Sequence, residues 1–288
     1  MIDKSYLLKK ISALGVTAGD MLFVHSAFSA VGDVNGGPDA VIDALLEAVG
    51  PDGTLIFPTF TSSGKPFSLS ESSSGTGILS EVFRKRPGVL RSRHPTHSVA
   101  AIGRHARELT GGAWATDTTC GEGTPYAYLA RSEAKQMMLG VDLNRCTMLH
   151  AVEDMGGFAW LVPTVSIAPP VDAPHISSIH RYPPGHRALI HLMADMRRME
   201  WFVQGYIGNA RVLVYPIREM HDYCMERIKT EPFMFLCENP SCNSCAEMRG
   251  RASDPNLTGT CTETVCEVCR FTESYLKPAK KSVTYKAK

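Results

Sequence analysis

The chain of 288 residues predicts an α/β sandwich. Two observations carry that reading. Short apolar runs of strand length alternate with stretches in which apolar residues recur every three or four positions, the alternation that stacks helices on a sheet. Hydrophobic residues make up 44% of the chain, enough for a sizeable core.

The elements follow in order. Tyr6, Leu7, Leu8, Ile11 and Leu14 recur at helical spacing, and Gly15 supplies a C-terminal stop. Met21 to Val24 reads as a short buried strand running into His25-Ser26 and a loop holding Gly32, Gly36 and Gly37. Pro38 suits the first turn of a helix that turns Val41, Ile42, Leu45, Leu46 and Val49 inward. Gly53 to Phe60 forms the next strand, and the Ser- and Gly-rich stretch from Ser62 to Gly77 is a surface loop of the kind that covers sites. Helices are expected at Ile78–Phe83, Ala106–Leu109 and Tyr126–Arg131, and buried strands at Ser98–Ile102 and Met137–Val141. After Pro163 a run of prolines breaks any regular element, with helices resuming at about Ala188–Trp201 and Pro216–Ile228. Pro232 marks a boundary between a body, residues 1–230, and a Cys-rich extension, 231–288.

Charge and composition exclude several partners. A net charge of +1 argues against nucleic acid, as does the lack of clustered arginines or interleaved aromatics. No apolar run reaches the roughly 18 to 20 residues of a membrane helix. Without a signal-peptide pattern after Met1, the expected compartment is the cytoplasm.

His150 and Glu153 stand three residues apart, so on a helix an imidazole and a carboxylate project from one face. Such a pair is acid/base equipment. The bland alternative is a histidine that caps or packs a helix beside a solvated glutamate.

Several blocks in order resemble the aminoglycoside 3-N-acetyltransferase family over roughly residues 5 to 228. They are Val24-His25-Ser26 with Gly32; Gly36-Gly37 through Val49-Gly50; Gly53-Thr54-Leu55; Arg91, His94-Pro95, Ser98, Ala101 and Gly103; Gly121 to Glu153; and Gly205 to Ala210. The resemblance implies a three-layer fold with a mixed central sheet between helices, acetyl-CoA as cosubstrate and an amine as acceptor, the aminoglycoside 3-N position. It also implies a His150 general base, with Glu153 orienting the ring or binding the amine. The GNAT superfamily is disfavoured, because no arginine or glutamine is followed by glycine three positions on.

On the cofactor side the resemblance implies His25, Ser26, Ser29 and Gly32, with Arg91 and Ser98 as further candidates. Ala27 stands where family members often carry serine. Ser98 can equally be a hydroxyl satisfied at a strand start, and His94 and His97 can anchor loops. A polycationic acceptor calls for carboxylates, and Asp117, Glu122 and Asp154 are the candidates to rim its cleft beside Glu153. Glu122 can instead serve a loop or a helix cap.

Cys242-x2-Cys245 followed by Cys266-x2-Cys269 has the spacing of two zinc knuckles, so a structural zinc on these four thiols is expected. Cys237 and Cys261 extend each pair to Cys-x4-Cys-x2-Cys, which leaves mixed thiols or an iron–sulfur cluster open. The zinc is not part of what the resemblance implies. The expected function is thus direct acetyl transfer to an aminoglycoside. The alternatives are the same chemistry on a peptide, sugar or biosynthetic amine, or a zinc-ribbon binding protein without turnover; assembly as a homodimer is left open.

Overall fold

The structure, a computed structural model, describes residues 1–254 apart from 63, 115, 116, 159, 184–187, 240 and 241. A seven-stranded mixed sheet divides two layers of helices. Its strands are β1 (Met21–Ser26), β2 (Thr54–Pro58), β3 (Leu90–Arg91), β4 (Val99–Gly103), β5 (Lys135–Leu139), β8 (Val203–Ile207) and β9 (Ala210–Pro216), in spatial order β3-β4-β2-β1-β5-β9-β8. β2, β1 and β5 are mutually parallel, and antiparallel strands flank them on both sides. The parallel centre is covered on both faces, so β1 and β2 read as unbroken apolar runs rather than alternating ones.

Successive side chains on one strand enter different cores. Leu22 and Val24 join a cluster with α1 (Lys4–Ala13), α2 (Gly37–Val49) and α3 (Ile78–Arg84). Phe23 joins the opposite cluster, with α4 (Ala106–Thr110), α5 (Pro125–Ala130), α6 (Thr147–Met155), α7 (Leu192–Arg198) and α8 (Ile217–Arg227). Asp3 caps α1 by accepting from the Tyr6 N–H at 2.7 Å, and Pro38 sits in the first turn of α2, as expected.

Two regions differ from the sequence expectation, and a third, Gly205–Ala210, carried no structural expectation. The proline-rich stretch after Pro163 holds an antiparallel pair, β6 (Val162–Ser166) with β7 (Ser178–Tyr182). Pro163 is tolerated because the ladder is only two strands wide, so one edge of each strand makes no sheet bonds. The block Gly205–Ala210 is the heart of a β8–β9 hairpin, whose two-residue turn Gly208-Asn209 places Gly208 at φ 56°. The expected helix at 188–201 is shorter, a 3₁₀ turn at Ala188–His191 leading into α7.

The described part of the extension, including α9 (Asn243–Ser253), packs on the body. Phe235, Leu236, Cys237, Cys242, Cys245 and Met248 all belong to the core containing α5–α8. The family-implied mixed sheet between helices is what the chain forms. Among the described residues no helix is long and apolar enough to cross a membrane.

Candidate active site

Parallel strands with a crossover to each side of β1 leave a crevice beyond their carboxyl ends, the usual ligand position in such sheets. Here a cleft of about 1170 Å³ opens at that place. Its floor is His25 and Ser26 from the end of β1, Pro58 and Phe60 from the end of β2, and Thr147 and His150 from α6. The hydroxyl-rich run Ser72-Ser73-Ser74-Gly75-Thr76-Gly77 walls one side, and Lys65 and Arg145 bring cations.

The first turns of α6 put His150 and Glu153 on one face. His150 Nδ1 lies 2.5 Å from Glu153 Oε2, with the imidazole 16% exposed and the carboxylate fully buried. The other oxygen, Oε1, accepts from the indole Nε1 of Trp160 at 3.0 Å. A buried carboxylate is stable only when its oxygens receive donors, and the two donors here also fix its orientation. His150 lines the cleft while its Nδ1 is held by Glu153.

Two other histidines line the cleft under different circumstances. His25 bonds Thr147 Oγ1 through Nε2 at 3.0 Å and takes a donor from Gln136 Nε2 on Nδ1 at 2.9 Å. Burial, with His150 adding to it, pulls its pKa down to about 3. It is a neutral pin between β1 and the start of α6. His97 is packed against Phe60 and Tyr182, and burial holds it well below the usual imidazole range. His94 caps its own turn, accepting the N–H groups of Thr96 and His97 on Nδ1, and burial lowers it to about 4. His150 differs from all three in having a carboxylate partner.

Ser26 and Ser29 line the cleft, and the Ser26 hydroxyl is buried with no hydrogen-bond partner. Gly32 does not reach the cleft. Its φ of +94° and the approach of Asn209 Nδ2, 3.2 Å from where a Cβ would sit, give it the task of seating the β8–β9 turn. Arg91 and Ser98 sit behind the cleft wall. Arg91 donates to the carbonyls of Thr59 at 2.6 Å and Ser72 at 2.5 Å and to Ser98 Oγ at 3.0 Å, with its guanidinium over Phe67. Ser98 donates to Thr59 O at 2.8 Å. Burial lowers the Arg91 pKa to about 10, yet it stays charged and clamps the 59–72 segment that shapes the cleft.

The structure does not gather Asp117, Glu122 and Asp154 at the cleft. Glu122 is exposed and pairs with Arg131, nine residues on. Asp117 is exposed on the loop leading to Thr118. Asp154 is buried, accepting from Thr118 Oγ1, from the N–H groups of Thr119 and Cys120 at 3.2 and 2.9 Å, and from Arg181 Nε at 2.6 Å. It organises the 118–120 loop. Among the described cleft residues the carboxylate is Glu71, which sequence reasoning passed over with the rest of its loop. Trp160 and Thr147 were also missed; no spacing rule ties an indole to a glutamate seven residues earlier.

Of the four expected metal ligands, Cys242 and Cys245 lie in the described chain, and Cys266 and Cys269 lie outside it, as does Cys261. Cys242 and Cys245 are buried together with Cys237.

The sequence model for aminoglycoside 3-N-acetyltransferases matches residues 23–229. Aminoglycoside N(3)-acetyltransferase VIII of Streptomyces fradiae is 35% identical over 175 residues, 53% of this chain and 60% of that protein. The type III enzyme of Pseudomonas aeruginosa is 34% identical over 170 residues, 52% and 62% of the two chains. The chain thus spans about 60% of the length of these relatives. Among solved structures, a histidine-to-alanine mutant of AAC(3)-IVa in complex with a gentamicin superposes with a TM-score of 0.79 at 25% identity, covering 87% of this chain and 97% of that one. AAC-IIIb in a binary complex with CoASH gives 0.69 at 26% identity, over 80% and 97%. The match over residues 23–229 places the chain in the aminoglycoside 3-N-acetyltransferase family.

Proposed function

We propose that the protein transfers the acetyl group of acetyl-CoA to an amine of an aminoglycoside, with His150 as general base. The observation that carries this reading is the His150–Glu153 pair at 2.5 Å, locked by Trp160 and presented to the large cleft. An amine is protonated near neutral pH and must lose a proton to attack a thioester. The ammonium first releases one proton to solvent, and His150 Nε2 then takes a second proton from the nitrogen of the neutral amine as it bonds to the carbonyl carbon. The carbon–sulfur bond then breaks, and the CoA thiolate leaves with a proton returned to sulfur. Glu153 stabilises the imidazolium formed between these events, as a buried carboxylate does for a catalytic histidine.

Ser26, Ser29 and the hydroxyls of residues 72–77, with Lys65 and Arg145 at the rim, suit a donor carrying phosphates. The CoASH complex of one structural neighbour and the gentamicin complex of another support this pairing of ligands. The test is thiol release from acetyl-CoA across a panel of aminoglycosides, with and without His150→Ala. The expected result is product with at least one aminoglycoside and a rate lower by roughly 10²–10⁴ in the variant. Undiminished turnover in His150→Ala would remove the base assignment.

One observation favours a second acceptor class. Asp117, Glu122 and Asp154 do not line the cleft, so the charge expected around a polycation is carried there by Glu71. The same chemistry on a less cationic amine fits that lining, and an aminoglycoside panel without product would select it.

A further inference from the structure

We infer that Cys237, Cys242 and Cys245 are three ligands of a structural zinc site that fastens the segment from Phe233 into α9 onto the wall behind Glu153. The three sulfurs all lie within 4.8 Å of one another, and all three residues are fully buried. Zinc–thiolate bonds of about 2.3 Å at tetrahedral angles place sulfurs about 3.8 Å apart, so the cluster closes on an ion with small side-chain adjustments. The Cys237 N–H donates to Cys245 Sγ at 3.3 Å, and the Arg249 guanidinium donates to Cys237 O at 2.5 Å, which ties Cys237 to Cys245 and to α9. Cys242 stands at the N-cap of α9 and Cys245 in its first turn.

The assignment differs from the one spacing suggests. Cys237, five residues before Cys242 of the Cys242-x2-Cys245 knuckle, joins it directly. Among the described residues no fourth His, Cys, Asp or Glu joins the group, so water or a residue beyond them completes a tetrahedron.

What the ion would hold in place is visible in the ring contacts. Phe233 stacks on Trp160 at 5.8 Å, and Phe235 meets Phe158 edge-on at 6.1 Å. Phe158 in turn stacks on Trp160 at 4.3 Å, and Trp160 donates to Glu153. The site is independent of which reaction the cleft performs.

The test is the metal content of the purified full chain, with Cys237→Ser as the informative variant and Cys224→Ser, a buried cysteine elsewhere in the same core, as control. The expectation is about one zinc per chain in the parent and in Cys224→Ser, and at least about a tenfold loss of retained zinc in Cys237→Ser after dialysis against a weak chelator. If Cys237→Ser does not fold, cobalt replacement in the parent decides. Tetrahedral visible bands with strong thiolate-to-cobalt charge transfer support the site, and a weak octahedral spectrum overturns it. A parent chain without stoichiometric metal, or a folded Cys237→Ser that keeps its zinc, overturns it as well.

Discussion

The two faces of the central sheet are built on different terms. The layer of α1, α2 and α3 meets the sheet mainly through hydrocarbon, Ser80 of α3 being its buried hydroxyl: Leu7, Ile11, Val41, Leu45, Leu79 and Phe83 against Leu22, Val24, Leu55 and Phe57. The opposite layer buries apolar side chains too, but it also encloses Glu153, Asp154, Thr147 and His94. Burying polar groups costs free energy unless each finds a partner. The second layer bears that cost in the bonds of Glu153 to His150 and Trp160, and of Asp154 to the 118–120 loop and Arg181. One face keeps the sheet folded, and the other orients the His150 imidazole at the cleft. Glu153 and Asp154 make the same point on adjacent positions: a helical step of about 100° sends one carboxylate to His150 and the other to a loop.

That contrast can be broken by substitution. The largest effect is expected at Glu153→Gln. An amide can accept only through one oxygen and turns an NH2 toward either Trp160 or His150, so turnover should fall by roughly 10²–10³ while the fold persists. Steady-state kinetics beside a circular dichroism melt separates the two quantities. On the hydrocarbon face the expectation reverses. Leu45→Ala should cost about 3 kcal/mol in denaturant unfolding and leave the turnover number within about twofold, since it opens a cavity far from the cleft.

Acid should single out the polar face. His25 and His94 have folded-state pKa values near 3 and 4, below the unfolded value of 6.5. The unfolded chain therefore binds more protons between those limits, so stability is full above about pH 6.5 and is lost as pH falls toward about 4. A lower melting temperature at about pH 5 than at about pH 7, with the drop reduced in the double variant Gln136→Leu/His25→Leu, is the outcome to measure. The smallest effect is expected from Trp160→Phe, which keeps the ring stack and removes one donor to Glu153. A loss of about tenfold in turnover with KM unchanged would mark Trp160 as a positioning residue, whereas a change in melting temperature alone would make it a packing residue.

How much of this was legible in the sequence follows the range of the interactions. The His150–Glu153 pair lies within one helical turn, so spacing alone placed both groups on one face. The sheet centre was legible because two-sided burial writes itself as an apolar run. The β6–β7 pair was not, since Pro163 obscures a two-stranded ladder whose paired residues lie twelve to twenty positions apart in the register Val162↔Tyr182 to Ser166↔Ser178. Arg91 is a cofactor-side candidate in the sequence because a guanidinium in a polar block looks available. Only the folded chain brings the carbonyls of Thr59 and Ser72 around it. Asp154 misled for the same reason: its partners at 118–120 and 181 are distant in sequence. Cys237 was visible as an extra thiol, but its approach to Cys245, eight residues on, is set only in the folded chain.

The central claim is that the cleft delivers a thioester to His150. A crystal structure of the full chain with CoA tests it most directly. The account predicts the pantetheine arm running past Ser26 and Ser29, with the thiol within one acyl group of His150 Nε2, roughly 4–6 Å. A thiol outside the cleft, or separated from the imidazole by the wall of residues 72–77, would contradict it.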